Sequence, residues 1–283
     1  MEQSCIVCAE TATEEYRSVR EYRLVRCTRC GLIRLDTNDG ALRRPEQVFD
    51  EAYYASYGVL TAEWRRELFI RRLAEISKLT QGRRLLDVGA ALGHLVKRAA
   101  DCGFSAVGVE PSVWRADYAR RVMGVDVRTG VLEEVPLPAG SFDVVHVNHV
   151  LENIPDPRPM LRQIATLLSP EGILYLSVPN VNALARWFCD PYEWYVPQYR
   201  YYEFSRRTIV RLVAQCGLQV MKSWTMDGTF NYRYWLTRNR PAAAAMPKTA
   251  APAAQGAVKR LVDGLVSTMG RGQSIIVIAR ICR

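Results

Sequence analysis

No apolar run in this 283-residue chain is long enough to cross a bilayer, no charged-then-apolar leader opens it, and no segment repeats another. The expectation left by those absences is a soluble, cytoplasmic protein without a membrane span. Acidic charge is scarce in one place only. Residues 1–50 hold 8 Lys/Arg against 9 Asp/Glu and residues 51–185 hold 15 of each, so the net charge of +9 comes from residues 186–283. A nucleic-acid-gripping module at the N-terminus would carry a positive field of its own. Here Arg17, Arg20, Arg23, Arg26 and Arg29 are neutralised by neighbouring acids. With 49% hydrophobic residues the chain can bury one large core and a small satellite.

Cysteine is not scarce, and half of it is patterned. Cys5-x-x-Cys8 and Cys27-x-x-Cys30 are separated by 18 residues, a spacing that suits a four-thiolate zinc site with no open position. A closed site implies a structural metal in a reducing compartment; two disulfides or buried thiols are the alternatives. Cys102, Cys189, Cys216 and Cys282 are scattered and read as packing residues.

The stretch Arg84-Leu-Leu-Asp-Val-Gly-Ala-Ala-Leu-Gly93 followed by Ala106-Val-Gly-Val-Glu-Pro-Ser112 reads as strand, small-residue turn, helix, strand and terminal carboxylate. Glu110 falls about 20 residues after the first glycine, the distance that suits ribose hydroxyls. A dinucleotide fingerprint is absent, because Ala91 stands between Gly89 and Gly93 and His94 occupies the place of a third glycine.

The turn resembles motif I of the class I S-adenosylmethionine (SAM) methyltransferases, with Ala91 in place of the middle glycine. The resemblance continues through Ser141-Phe-Asp-Val-Val-His-Val-Asn-His-Val-Leu-Glu-Asn-Ile-Pro-Asp-Pro157, similar to motif IV. It extends to Leu167-Leu-Ser-Pro-Glu-Gly-Ile-Leu-Tyr-Leu-Ser-Val-Pro179 and to Phe204-Ser-Arg-Arg-Thr-Ile-Val-Arg-Leu-Val-Ala-Gln-Cys-Gly-Leu218. Gly31-Leu-Ile-Arg-Leu35 and the tyrosines of Phe49–Tyr57 are similar to the ribbon end and linker of zinc modules fused to bacterial methyltransferases.

That resemblance implies an α/β fold, a Rossmann-like seven-stranded doubly wound sheet with a small N-terminal zinc ribbon. The ribbon is expected at 1–35, and a linker with a helix over the cofactor cleft at 36–80. The methyltransferase domain is expected at 81–283, with a low-complexity insertion at about 240–255. Strands are expected near 84–88, 106–110, 125–129, 143–147, 173–178, 218–224 and 274–279, and helices at 113–122 and 157–168. Trp64, Leu68, Phe69, Leu73 and Ile76 recur at helical spacing.

SAM is the implied cofactor, with Asp87, Gly89, Ala90, Gly93, Glu110, Leu132 and Asn148 expected to bind it. Asp87 can orient the turn, meet the methionine amino group or act as a structural cap. The family's Gly-Asp-Leu is Gly130-Val131-Leu132 here, so the acid that meets the adenine amino group is missing; Leu132 can still supply a backbone N–H and an apolar face, and Glu133 is the alternative acceptor. His149 is the candidate general base, with a structural role as the alternative. His146 is expected to point away from the crevice by strand alternation. His149, Glu152 and Asn153 overlay a divalent-metal run of ubiquinone-type O-methyltransferases, but asparagine is a poor transition-metal ligand.

The aromatic stretch 187–202 is the expected acceptor wall, with Trp187, Tyr195 and Arg200 as substrate residues; a lid packed on its own domain is the alternative. The acceptor is expected to be small or glycan-type, including phosphorylated or nucleotide-linked sugars. An rRNA or tRNA substrate is the rival reading, against which stands the lack of Asn/Asp-Pro-Pro-Tyr/Phe after strand four. A non-catalytic scaffold is the third.

Overall fold

A computed structural model describes residues 4–19, 22–36, 68–187, 200–226 and 263–282. The linker tyrosines, Trp64, Cys189, Tyr195, Arg233, Arg238 and the insertion at 240–255 lie outside the described residues.

Seven strands form the main sheet: β4 (Arg84–Val88), β5 (Ser105–Glu110), β6 (Val127–Thr129), β7 (Phe142–Asn148), β8 (Leu168–Pro179), β10 (Leu218–Met226) and β11 (Ser274–Ile281). Their spatial order is β10-β11-β8-β7-β4-β5-β6. The five strands from β8 to β6 are parallel, while β11 is antiparallel to both neighbours. Burial on both faces explains why these strands read as near-continuous Val/Ile/Leu runs in the sequence. β6 begins at Val127, later than the apolar run suggests. Gly124 turns the chain with φ +65, and Val125 packs beside Ala116 and Ala119 instead of pairing.

Helices cover both faces. On one side lie α1 (residues 68–79), α2 (His94–Asp101) and α3 (Val113–Arg121). Leu73 and Ile76 of α1 are buried against Leu85, Val144, Ile173, Tyr175 and Ile276. On the other side lie α4 (Arg158–Leu167) and α5 (Arg206–Gln215), whose Leu161, Ile164, Ile209 and Leu212 join Leu86, Val145 and Leu174 in the largest core cluster. Ser205 and Thr208 form a reciprocal cap at the start of α5. The short helix α6 (residues 263–268) precedes β11. No helix among the described residues is long and apolar enough to cross a membrane.

The N-terminal ribbon is built from β1 (Thr13–Val19), β2 (Tyr22–Cys27) and β3 (Ile33–Leu35), all antiparallel. Its sheet is completed by β9 (Tyr202–Glu203), which comes from the methyltransferase segment and pairs with β3. Ile6, Val7 and Leu32 enter the same core cluster as Leu151, Tyr202 and Phe204. The ribbon therefore shares both a sheet and a core with the larger domain.

Shared packing predicts shared unfolding. Leu32, 1% exposed, should cost about 2–5 kcal/mol when cut to alanine. Calorimetry should record one transition that moves as a whole; a separate, early ribbon transition would contradict this packing.

Candidate active site and four-cysteine centre

Strand order reverses between β4 and β7, and an open α/β sheet holds its ligand in the crevice at such a point. A cavity of about 690 Å³ lies there, lined from α1, the ends of β4, β5 and β7, and the loops that follow. It takes in Asp87, Gly89, Ala90, Glu110, Leu132, Asn148, His149 and Arg200 from the sequence-derived set. Gly93 does not line it. A Cβ at Gly93 would stand 2.8 Å from Val125 Cγ2 and 2.9 Å from Ala119 Cβ, so this glycine lets α2 pack against α3. The backbone of Trp187 ends a short 3-10 turn, Leu184–Trp187; its side chain lies outside the described residues, like Tyr195.

The turn after β4 is held in a conformation that glycine adopts without cost. Gly89 has φ +75, and an added Cβ would meet Val150 Cγ2 at 2.5 Å. Ala91 has φ 48 despite its side chain, which explains why glycine suits that place. Across the cavity His149 has φ 56. These two strained residues lie on the facing loops, the pattern expected where a site imposes backbone geometry.

Glu110 is 1% exposed. Its Oε2 accepts from Ala91 N–H at 2.9 Å, its Oε1 accepts from Ser112 N–H at 2.9 Å, and Arg115 Nη2 stands 3.2 Å from Oε1. Burial pushes its carboxyl above the ordinary value, against the pull of Arg115 and those two N–H groups. One carboxylate thus ties the first turn to the second while retaining lone pairs toward the cavity. Arg115 was not anticipated, although its place in the first turn after the strand-end acid is the signal that could have found it.

Two further residues escaped the sequence. Arg72 is 1% exposed and lines the cavity beside Leu68 and Phe69, one helical turn before it. His146 lines the cavity too, contrary to the expectation from alternation. Alternation does hold along β7, but His146 shares the face of Asp87, and its Nδ1 lies 2.7 Å from Asp87 Oδ1.

Past β7, a 3-10 turn spans Leu151–Asn153. His149 N–H donates to Ser177 O at 2.9 Å, and Asn153 Nδ2 donates to His149 O at 3.1 Å. Glu152 is 1% exposed; its Oε1 is 3.4 Å from His149 Nδ1, and neither of its oxygens has a hydrogen-bond partner. Asn148 Oδ1 and Asn153 Oδ1 are buried and unpartnered as well. This end of the cavity is rich in acceptor oxygens. Behind it Glu203 binds Arg186, and burial pushes its carboxyl up to about 7 against the arginine's pull, with Glu152 adding to the rise.

In the ribbon, the sulfur atoms of Cys5, Cys8, Cys27 and Cys30 all lie within 4.8 Å of one another. Cys5–Cys30 and Cys8–Cys27 are each 3.5 Å apart, far beyond a disulfide of about 2.05 Å. Tetrahedral zinc with Zn–S of about 2.3 Å would space its sulfurs by roughly 3.8 Å. The donor set and its spacing fit such an ion. Matching backbone bonds close the two knuckles, Ala9 N–H to Cys5 O and Gly31 N–H to Cys27 O. Burial opposes ionisation of Cys27, but N–H groups of Cys30 and Arg29 draw its thiol down to about 7. Of the other described cysteines, Cys216 is buried, whereas Cys102 and Cys282 are exposed, unlike the packing residues expected.

Residues 61–223 match the methyltransferase domain family, a span of more than half the chain. The chain belongs to that family. It is 28% identical over 164 residues to a ubiquinone biosynthesis O-methyltransferase of Bordetella avium, covering 52% of this chain and 68% of that protein. Among solved structures, the phosphoethanolamine N-methyltransferase 2 of Haemonchus contortus in complex with SAM is similar, with TM-score 0.59 and 18% identity over 87% of this chain and 61% of that one. A possible histamine N-methyltransferase of Thermotoga maritima gives 0.58 and 18%, covering 83% and 98%. At such identities the structures speak for the fold alone. The methyltransferase is SAM-dependent.

If Glu110 serves the donor's ribose, Glu110→Ala should weaken S-adenosylhomocysteine binding at least about tenfold, equivalent to 1.4 kcal/mol. Calorimetry measures this directly. Tighter binding of NAD than of SAM by the wild type would overturn the donor assignment.

Proposed function

We propose that this enzyme O-methylates a small, hydroxyl-rich acceptor of glycan type. The observation carrying this reading is the buried wall beyond β7, where Asn148 Oδ1, Glu152 Oε2 and Asn153 Oδ1 lack donors beside His149, while Glu152 Oε1 faces His149 Nδ1 at 3.4 Å. Buried acceptors without partners are costly, so a ligand bearing several O–H groups suits them. Arg200 at the same cavity suits a phosphate or nucleotide-linked substituent.

SAM supplies an electrophilic methyl group on a sulfonium. Asp87, Glu110 and the backbone of Gly89 and Ala90 would hold it, with Leu132 and Asn148 lining the same cavity. Arg72, buried at the cavity wall, would offer its guanidinium to the donor's carboxylate. Glu152 orients His149 through Nδ1–H, leaving Nε2 to take the proton of the acceptor hydroxyl. With the donor bound, attack of that oxygen on the methyl carbon would form the C–O bond as the C–S bond breaks, leaving S-adenosylhomocysteine. Most of the acceleration comes from holding the oxygen about 3 Å from the methyl carbon.

Zinc at Cys5, Cys8, Cys27 and Cys30 is structural in this reading, since four thiolates leave no open position. Metal analysis of protein kept reduced should find about one zinc per chain. Chelation should weaken acceptor binding, because β9 pairs with the ribbon's β3 and Arg200 immediately precedes that segment. Folded, active protein without metal would defeat this assignment.

A second reading, an RNA acceptor, draws on Arg206, Arg207 and Arg211, all exposed on α5. The two are separated by salt. RNA binding across several phosphates falls steeply as salt rises, by about one counterion per contact, whereas a sugar acceptor should show a shallow slope. His149→Gln should lower kcat by about a hundredfold or more with S-adenosylhomocysteine affinity unchanged. Full kcat in that variant, or tight and steeply salt-dependent RNA binding, would remove the hydroxyl-acceptor reading.

A further inference from the structure

A row of polar groups crosses the sheet beneath the cavity. Asp87 of β4 is in register with His146 of β7, and His146 with Tyr175 of β8. His146 Nδ1 is 2.7 Å from Asp87 Oδ1. The imidazole stacks on Tyr175 with ring centroids 5.7 Å apart and planes 24° from parallel. Tyr175 O–H donates to Glu75 Oε2 of α1 at 2.8 Å. The row therefore runs from the floor of the site to the helix that covers it. Apolar side chains would fill this layer at lower cost, and Leu85, Val144 and Ile173 do so immediately beside it. His146 is 1% exposed, and its Nε2 has no hydrogen-bond partner.

The tautomer follows from the pairing. An ionised Asp87 can only accept, so Nδ1 carries the proton and Nε2 presents a lone pair. Burial also favours the neutral ring, lowering the His146 pKa against the opposing pull of Asp87. The charged and titratable groups around it are Asp87, Arg72, Glu75, Tyr175 and His149.

We propose that His146 is a positioning residue for the methyl donor. It fixes Asp87 through Oδ1 so that the carboxylate meets the ammonium of the donor's amino-acid end, and through Tyr175 and Glu75 it couples that contact to α1. This rests on the SAM reading of the cavity. Protonated His146 would set a second positive charge beside the ammonium, so donor affinity falls at acid pH. It acts only on the amino-acid end, because Glu110 and Leu132 serve the nucleoside end.

Calorimetry with two probes tests it: S-adenosylhomocysteine, and 5′-methylthioadenosine, which lacks the amino-acid end. His146→Phe keeps the stacked ring and removes both nitrogens. It should raise the S-adenosylhomocysteine Kd by about tenfold or more, equivalent to 1.4 kcal/mol. Methylthioadenosine should bind as to the wild type, and the acid-side weakening should shrink. His146→Gln, which retains an N–H for Asp87, should recover part of the loss and carries the test if the phenylalanine variant does not fold. On an Asp87→Asn background, His146→Phe should add little. Unchanged S-adenosylhomocysteine affinity, or parallel loss of both probes, would overturn the proposal. Wild-type protein that binds neither probe would instead remove the donor reading on which it rests.

Discussion

Parallel pairing of β4 with β7 governs the site because it brings together two segments about sixty residues apart and leaves their loops diverging. Leu85 to Val88 face Val144 to Val147 in strict register. After that register ends, the chain after β4 turns toward β5 and the chain after β7 turns toward β8, which opens the crevice. Asp87 and His146 are cross-strand partners for the same reason. The left-handed backbone at Ala91 and His149 is what two tight turns facing each other across a gap require. Strain of this sort persists only when surrounding structure over-determines it, and here Leu85 to Val88 of β4 and Val144 to Val147 of β7 are buried.

The ribbon reaches the same site through main-chain bonds. Leu35 N–H donates to Tyr201 O, and Tyr201 N–H donates to Glu152 O, at 2.9 and 2.8 Å. Two hydrogen bonds thus connect a strand of the four-cysteine module to the loop that carries Glu152. Tyr202 and Phe204, in the same segment, pack with Leu32 and Leu151. A module that looks like an appendage in sequence is a wall of the active-site domain. Its charge neutrality fits this position, since a strongly basic surface would gain nothing from being built into a core.

Much of the fold was legible because its signals are local. Apolar runs marked five strands of the main sheet, and the family resemblance supplied β10 and β11; the largest difference is at β8, which starts at Leu168 and not near 173. The long cysteine pairing was legible because metal-ligand spacing is a chemical constraint on nearby residues. β6 was misjudged at its start because a turn at Gly124 takes Val125 out of the ladder while leaving it buried. β9 was not foreseen: two residues, Tyr202 and Glu203, carry no periodicity, and their pairing partner lies more than 160 residues earlier.

The site divides in the same way. Sequence alone determined the residue types at the strand ends, namely Asp87, Gly89, Glu110 and His149, because motif position fixes them relative to their own strand. It also determined the four thiols and the place of the charge excess. Tertiary structure decided which side chains share a face and a cavity. It turned His146 inward beside Asp87, set Arg115 on Glu110, brought Arg72 down from α1, and assigned Gly93 to helix packing. The physical reason is that facing and burial depend on register between distant strands and on how helices seat against the sheet. Those quantities are fixed by the whole core at once, and no local window of sequence contains them.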